Sequence, residues 1–333
     1  MALPRIALIV LGGTITMVPQ RNGGIAPGLR PKQLLESVSG LAELAQFKII
    51  TKHDLPSASL SLSAIVMLAS DIDALYQRGV DGVVVVQGTD TIEETAFLLD
   101  LLVRRDRPLV VTGAMRGPAM LGADGPANLF SAVLVAASPS AAGIGTLVVF
   151  NNEIHAARFV QKSHTYLPSA FTSPMSGPLG FIVEQRARFH YKPPTPIKYS
   201  VLPSFDCAPV ALVKIVLGDN GWLLDQLPKL EYRGIVIEGV GAGHVPAEIV
   251  PRLEQLASNK PVVLSSRVYA GGTLTQTYSY AGSEMDLLGK GLIPGGFLSG
   301  VKARLLLSVL LGQNEDIATI RSSFRRYLSA SAF

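Results

Sequence analysis

Gly79-Val80-Asp81-Gly82-Val83-Val84-Val85-Val86-Gln87-Gly88-Thr89-Asp90-Thr91-Ile92-Glu93-Glu94 is the stretch whose reading decides the fold. Residues 79–86 lead into an apolar run of strand length that ends on Gln87-Gly88-Thr89. Residues 93–104 then read as a helix with acidic side chains in its first turn, where the helix dipole favours them. Strand, glycine turn and helix in that order are the repeating unit of a parallel sheet with crossover helices. The pattern also opens the chain, where residues 6–11 form an apolar run closed by Gly12-Gly13-Thr14-Ile15-Thr16. Each turn presents a threonine at a strand end. In an open α/β sheet ligands bind outside the carboxyl ends of the strands, so the two hydroxyls can face one substrate.

Further along, residues 109–112 are a short strand closed by Gly113-Ala114-Met115-Arg116. The turn Asp124-Gly125-Pro126 precedes an apolar helix over 128–137, and residues 146–150 return to strand. Over 168–209 the periodicity fails among prolines, aromatics and isolated glycines, which predicts a connector and a hairpin. Regularity resumes at 210–217, 234–238 and 261–265, each followed by a helical candidate. The expectation is an α/β protein of two domains. A large N-terminal parallel-sheet domain with flanking helices, the catalytic one, covers 1–190; a linker covers 191–209; a smaller C-terminal α/β domain covers 210–333.

Composition agrees with a globular enzyme. At 333 residues the chain can bury two cores, and only 16% of residues are charged, which argues against disorder. Mean hydropathy is high, but the apolar runs at 83–86 and 305–311 fall far short of the roughly 20 residues that span a bilayer. Buried parallel strands explain them better, and no membrane association is expected. The formal charge of +4 is mild, and basic residues are scattered except for Arg104-Arg105 and Arg325-Arg326, which read as solvated helix faces. With no basic stripe and interleaved aromatics, nucleic-acid binding is not implied. Cys207 stands alone, which excludes an intrachain disulfide and gives no hint of secretion. The N-terminal apolar run flows into Gly12-Gly13-Thr14 without a small-residue cleavage site, so a cytoplasmic protein is expected.

The chemistry-bearing segments each admit two readings. Thr89 and Asp90 place a hydroxyl and a carboxylate at a helix N-terminus, where they either cap the helix or form a site; Gly88 before them permits close approach of a ligand. Thr14 is either part of a plain turn or a site residue beneath residues 17–28, a segment rich in glycine that can serve as a lid. Lys162 is either a surface lysine or, buried beside Thr89 and Asp90, a proton acceptor for a hydroxyl. Residues 239–243 form a glycine turn between strand and helix, lacking the third glycine of a dinucleotide fingerprint; it reads equally as a plain turn or as a loop lining a small-molecule site. His53, His155, His164, His190 and His244 show no metal-ligand spacing, no G-x-S-x-G elbow occurs, and neither metal nor cofactor is expected.

Taken together, residues 11–16, 87–95, 113–116, 123–129 and Lys162 resemble the motif set of the bacterial L-asparaginase and glutaminase-asparaginase family. The resemblance runs on through 239–243, Ser265-Ser266-Arg267-Val268 and Lys302-Ala303-Arg304. It implies two α/β domains, a homodimer or homotetramer with sites at the subunit interface, and cofactor-independent hydrolysis of the side-chain amide of asparagine, sometimes glutamine, with release of ammonia. By motif, Thr14 would be the nucleophile that forms an acyl-enzyme, with Thr89, Asp90 and Lys162 as second hydroxyl, carboxylate and lysine. Asp90 would also bind the substrate's α-amino group. Ser57, or Ser59 in an alternative register, would hold the α-carboxylate, and Gly88, Ala114, His244 and Tyr278 fall at further substrate-binding positions. Three features depart from the pattern. Residues 17–28 lack the tyrosine that activates the first threonine in secreted members, Gly24 being nearest to its place. Tyr278 and Ser279 stand near the position of an acidic residue, with Glu284 slightly beyond. His244 stands where asparagine is expected. The departures suggest that Tyr278 or Tyr280 from a partner subunit supplies the missing phenol. They also keep open an amino-acid-binding or regulatory protein that retained the fold and lost efficient turnover, and a nucleotide-dependent enzyme using 239–243.

Overall fold

The computed structural model describes residues 2–21, 23–52, 54–200 and 205–331. His53, one of the histidines weighed as metal ligands, and residues 201–204 of the expected linker lie outside the described residues. The chain separates into two compact units, 1–198 and 199–332.

The first unit begins with strand β1 (Arg5–Val10) and a hairpin of β2 (Met17–Pro19) and β3 (Ile25–Pro27), followed by helices α1 (Pro31–Glu36) and α2 (Leu41–Leu44) and strand β4 (Gln46–Thr51). Then come α3 (Leu62–Gln77), β5 (Gly82–Val86), α4 (Ile92–Leu102), β6 (Leu109–Thr112), α5 (Gly125–Ala136) and β7 (Thr146–Phe150). Short strands complete it: β8 (Glu153–Ala156), the pair β9 (Gln161–Lys162) and β10 (Phe171–Thr172), β11 (Gly180–Val183) and β12 (Arg186–Phe189). Eight of these strands form one sheet in the order β12-β11-β8-β7-β6-β5-β1-β4. The five from β4 to β7 are parallel, and β8, β11 and β12 extend the sheet antiparallel. The sheet is therefore mixed, where the sequence predicted parallel strands. The antiparallel strands are β8, which turns straight back from β7, and the hairpin of β11 and β12 within 168–209, where a hairpin was expected; that hairpin turns on Glu184 and Gln185, both at positive φ, as a two-residue connection requires.

Val83, Val84, Val85 and Val86 are fully buried because helices cover both faces of the parallel region; α4 and α5 pack on β6 and β7, and α3 packs on α4. In the order β4-β1-β5-β6-β7 the chain leaves β1 toward one edge and returns past it to β5. The topological switch point therefore lies between β1 and β5, where a crevice opens at the carboxyl ends. Arg104 and Arg105 do not lie on a helix face as predicted. They follow the end of α4, where their backbone N–H groups donate to the buried Asp73 carboxylate at 3.1 and 3.3 Å.

The second unit contains β13 (Val210–Lys214), β14 (Gly234–Gly239), α6 (Val250–Asn259), β15 (Val262–Ser266), α7 (Glu284–Gly289), β16 (Ile293–Pro294), α8 (Gly300–Gly312) and α9 (Ile317–Ser331). Its four strands are all parallel in sequential order. Helix α8 packs on β13, β14 and β15, while Leu253, Leu256 and Leu287 join Val213, Ile237 and Leu264 in the core. Among the described residues no α-helix lies between β13 and β14, contrary to the prediction of a helix after each strand. Asp219 and Asn220 instead accept backbone N–H groups from Gly221 (2.9 Å) and Trp222 (3.1 Å), local turns that compete with a helix. Among the described residues no helix is long and apolar enough to cross a membrane.

Candidate active site

Strand β1 delivers Gly12 and Gly13, at φ of 107° and 100°, a conformation that side chains other than glycine rarely adopt. A β-carbon on Gly13 would come within 2.2 Å of the Gly88 nitrogen, so the turns after β1 and β5 touch backbone to backbone. Thr14 opens a single 3-10 turn whose far end is tied down, since Thr16 donates both its N–H and its hydroxyl to Gly13 O, each at 2.9 Å. Thr14 remains half-buried beside a cavity of about 180 Å³, lined also by Ser57, Gly88, Thr89, Asp90 and Lys162. All these residues belong to the first unit.

The turn after β5 is held from two sides. Gln87 Nε2 donates to Gly88 O and Thr91 Oγ1 at 3.3 Å, and the Thr91 hydroxyl donates to Ser57 O at 3.1 Å. Across this bridge Ser57 packs against Gly88, where a β-carbon would lie 2.9 Å from Ser57 Oγ. The Ser57 hydroxyl is buried and has no hydrogen-bond partner among the described residues, a costly state unless a ligand supplies one. Ser59, the alternative register, is exposed and not part of the cavity wall.

Lys162 reaches the same place from β9. Its Nζ donates to Thr89 Oγ1 at 3.0 Å and to Asp90 Oδ1 at 2.7 Å, and its own N–H donates to Glu93 Oε1 at 3.3 Å. The lysine side chain is 15% exposed and the Asp90 side chain 69%, so the ammonium is withdrawn while the carboxylate opens to solvent. A hydroxyl, an ammonium and a carboxylate thus form one hydrogen-bonded chain.

The turn after β6 supplies Met115 to the cavity wall, whereas Ala114 is fully buried and does not line it. Asp124 fixes this turn by accepting N–H groups from Met115 (3.0 Å) and Arg116 (2.8 Å). Asn128 then joins Asp124 to Gly113 O at 3.0 and 3.1 Å. Met17, Met115 and Thr165 are wall residues that sequence reasoning missed. Adjacency to Ala114 was the available signal for Met115, and the lid segment 17–28 was the signal for Met17; nothing comparable marked Thr165.

In the second unit residues 239–243 close on themselves. The N–H groups of Gly243 and His244 both donate to Val240 O, at 3.0 and 2.8 Å, and α6 starts only at Val250. The loop therefore lacks free amides at a helix start, which a phosphate cradle needs. It instead presents His244, whose Nε2 lies 3.1 Å from Glu284 Oε2 and whose Nδ1 lies 2.8 Å from the Tyr280 hydroxyl. The rings of Tyr278 and Tyr280 stand edge-on to the imidazole at 4.9 and 5.5 Å. Burial alone would raise the Glu284 pKa. The N–H groups of Tyr278, Thr277 and Glu284 itself, with His244, more than offset that and hold the carboxyl below its ordinary range. Among the described residues no cluster of three or more His, Cys, Asp or Glu could hold a metal.

Comparison with known proteins bears on what these groups serve. Residues 5–195 match the family model described as asparaginase, N-terminal, and residues 209–324 match the glutaminase/asparaginase C-terminal domain. The chain belongs to the asparaginase family. Like other members it is an amidohydrolase with the two-domain asparaginase fold. It is 35% identical to an L-asparaginase of Bacillus licheniformis, over 94% of this chain and 97% of that one. It is 39% identical to a probable L-asparaginase of Deinococcus radiodurans, over 100% and 99%. The solved structure of a probable cytoplasmic L-asparaginase from Campylobacter jejuni superposes with a TM-score of 0.87 at 31% identity, over 97% of this chain and 99% of that one. These relatives support hydrolysis of asparagine or glutamine amides.

Proposed function

We propose that this asparaginase-family chain hydrolyses the side-chain amide of L-asparagine, or of a close analogue, through an acyl-enzyme on Thr14. The observation that carries the reading is the Lys162 ammonium lying between Thr89 Oγ1 and Asp90 Oδ1 at a cavity that Thr14 also lines. A threonine hydroxyl is a poor nucleophile at neutral pH, so it attacks the amide carbon only as its proton is taken up. The C–O bond forms, the C–N bond breaks, and ammonia leaves with that proton. Water then attacks the ester carbon, with Thr89 and Lys162 placing it, and Thr14 recovers its proton as the acid departs.

The rest of the cavity fits an amino-acid substrate. Asp90, open to solvent, is assigned to the α-ammonium, and the unpartnered Ser57 hydroxyl to the α-carboxylate. Backbone N–H groups on the glycine turns are assigned to the developing oxyanion, an interaction worth about 3 to 4 kcal/mol per donor in other hydrolases. The reading includes assembly as a homodimer or homotetramer. It also includes a cytoplasmic place of action, supported by the word cytoplasmic in the name of the Campylobacter jejuni neighbour.

Ammonia release from L-asparagine, L-glutamine and their D-forms tests it. Release from L-asparagine that vanishes in Thr14→Ala is expected. Aspartate binding without turnover of any amide would overturn the assignment in favour of a binding or regulatory protein.

A further inference from the structure

Lys162 and Thr165 both line the amide cavity, and between them in the chain stands His164, whose imidazole the mechanism above leaves unused. The loop they share is closed at its base. There Lys162 pairs with Phe171, and Ser163 donates its N–H and its hydroxyl to Ala170 O at 2.6 and 3.0 Å. Beyond that base Thr165, Tyr166 and Leu167 are exposed, so burial does little to fix them. The imidazole fixes them instead. His164 Nδ1 accepts the N–H groups of Tyr166 and Leu167, each at 3.2 Å, and the Tyr166 ring stands edge-on to it with centroids 4.4 Å apart. Two N–H donors meeting one ring nitrogen need its lone pair, so the network assigns the proton of the neutral ring to Nε2. Thr165 is held in the bight of this clasp, one residue from the ring on one side and one residue from the first bonded amide on the other.

The clasp works only with a neutral ring. Both imidazole nitrogens carry protons in the charged form, which sets a third N–H against the two of the loop. Imidazoles ordinarily make that change between pH 5 and 8. Of the elements packed against β9, β10 carries no titratable group, and α4 presents Glu93, which accepts the Lys162 N–H at 3.3 Å. Asp90, after β5, accepts Lys162 Nζ at 2.7 Å, and the phenol of Tyr166 lies on the loop itself. Both carboxylates are thus engaged with Lys162.

We propose that His164 is an acid-sensitive positioning residue for the amide site: its neutral ring holds the loop that carries Thr165 and follows Lys162, and its protonation releases that loop. The proposal rests on the amidohydrolase reading for the reaction it affects. Release moves one wall of the cavity, since Thr165 loses the two bonds that shape its turn. It also loosens the chain two residues from Lys162, whose Nζ has to stay 3.0 Å from Thr89 Oγ1. His164 touches no reacting atom; it acts through these two neighbours.

Two variants of the intact chain separate the acceptor from its titration. Asparagine offers Oδ1 to the backbone N–H groups that follow it and does not titrate, whereas leucine offers no acceptor. In the first measurement, amide hydrogen exchange over 164–170 is read by mass spectrometry as protection relative to an unstructured peptide at the same pH. Wild type is expected to be protected at pH 8 and to lose that protection several-fold at pH 5, across the imidazole range. His164→Asn is expected to keep it at both pH values and His164→Leu to lack it at both. Wild-type protection that is unchanged at pH 5 would overturn the proposal. In the second, kcat/KM for L-asparagine is followed over the same range. His164→Asn is expected to lie close to wild type at pH 8 and to fall less steeply with acid. His164→Leu is expected to lie about 10²-fold lower throughout, the scale of a small misplacement at an active site. Parallel profiles for wild type and His164→Asn would overturn the acid sensitivity, and wild-type turnover in His164→Leu would overturn the positioning role. If His164→Leu does not fold, the comparison of wild type with His164→Asn decides. A wild-type chain inert toward every amide would overturn the proposed function instead, while the exchange data still decide the clasp.

Discussion

Gly13 and Gly88 are held in backbone contact, so close that a β-carbon on Gly13 would lie 2.2 Å from the Gly88 nitrogen and 2.4 Å from its α-carbon. The contact brings the turns after two adjacent parallel strands together at the switch point of the sheet. Both threonines depend on it.

Gly13→Ala tests that dependence. Alanine must adopt φ near 100° and push aside backbone atoms, which have no rotamer to escape into. That positive-φ extended conformation, with ψ of 177°, is nearly exclusive to glycine and costs roughly 1 to 3 kcal/mol, and overpacking costs about 1 to 3 more. Urea unfolding is expected to show a loss on the order of 3 kcal/mol, with amidase activity falling even in the folded fraction because Thr14 moves relative to Thr89. A variant with wild-type midpoint and turnover would contradict the contact.

Lys162→Met separates chemistry from stability. Its partner Asp90 is largely exposed, so the ion pair contributes only about 0 to 1 kcal/mol to folding. Turnover of asparagine is nevertheless expected to drop by roughly 10²- to 10⁴-fold, the range associated with a positioned proton-transfer group. A large stability loss with intact specific activity would reassign Lys162 to a structural role.

Asp100 and Arg158 give the opposite profile. Both are buried, with the guanidinium nitrogen Nε 4.0 Å from Asp100 Oδ2, and Asp100 Oδ1 accepts the Thr146 N–H at 2.7 Å. Arg158 also donates to Pro194 O at 2.9 Å, and Lys198 donates to Asp100 O at 2.7 Å, so the pair fastens the chain between β12 and residue 198 to the first unit. Asp100→Ala strands a buried cation and is expected to cost about 3 to 5 kcal/mol. Denaturant curves should show that loss, while the KM of the folded fraction stays at the wild-type value.

Wherever burial on both faces dictates composition, the fold was legible in the sequence. The strands β6 and β7 fall at the predicted bounds because an uninterrupted aliphatic run has no other stable place. After the strand run at 210–217 a helix was expected, but Asp219 and Asn220 spend their side chains on local turns, a competition that periodicity does not register. The Gly12-Gly13-Thr14 and Gly88-Thr89-Asp90 turns were visible as motifs. Their mutual distance was not, since it depends on which strands are neighbours. Ser57 and Ser59 are indistinguishable in sequence, and one residue of a 3-10 turn separates a buried hydroxyl from an exposed one. Ala114 was named where Met115 forms the wall, because the rotation of that turn is set by Asp124, nine residues from Met115.

Glu284 predicts an acid-sensitive second unit. In unfolded chains a glutamate titrates at about 4.3, and in the folded protein the N–H groups of Tyr278 and Thr277 with His244 outweigh burial and hold it lower. A depressed folded pKa means that the unfolded chain binds the proton first. Its contribution to stability is therefore complete above the unfolded value and declines as pH falls through it toward the folded value. Asp286, lowered chiefly by the Gly282 N–H and Lys290, has the same sign and titrates in the same direction. Glu284→Gln removes one of these contributions and leaves those of Asp286 and of Asp316, which the Thr319 N–H chiefly lowers. Its unfolding free energy, measured by urea titration from pH 6 down to pH 3, is expected to lie below wild type at pH 6 and to fall less steeply with acid. Parallel curves for the two proteins would show that the Glu284 carboxylate is not preferentially stabilised in the fold.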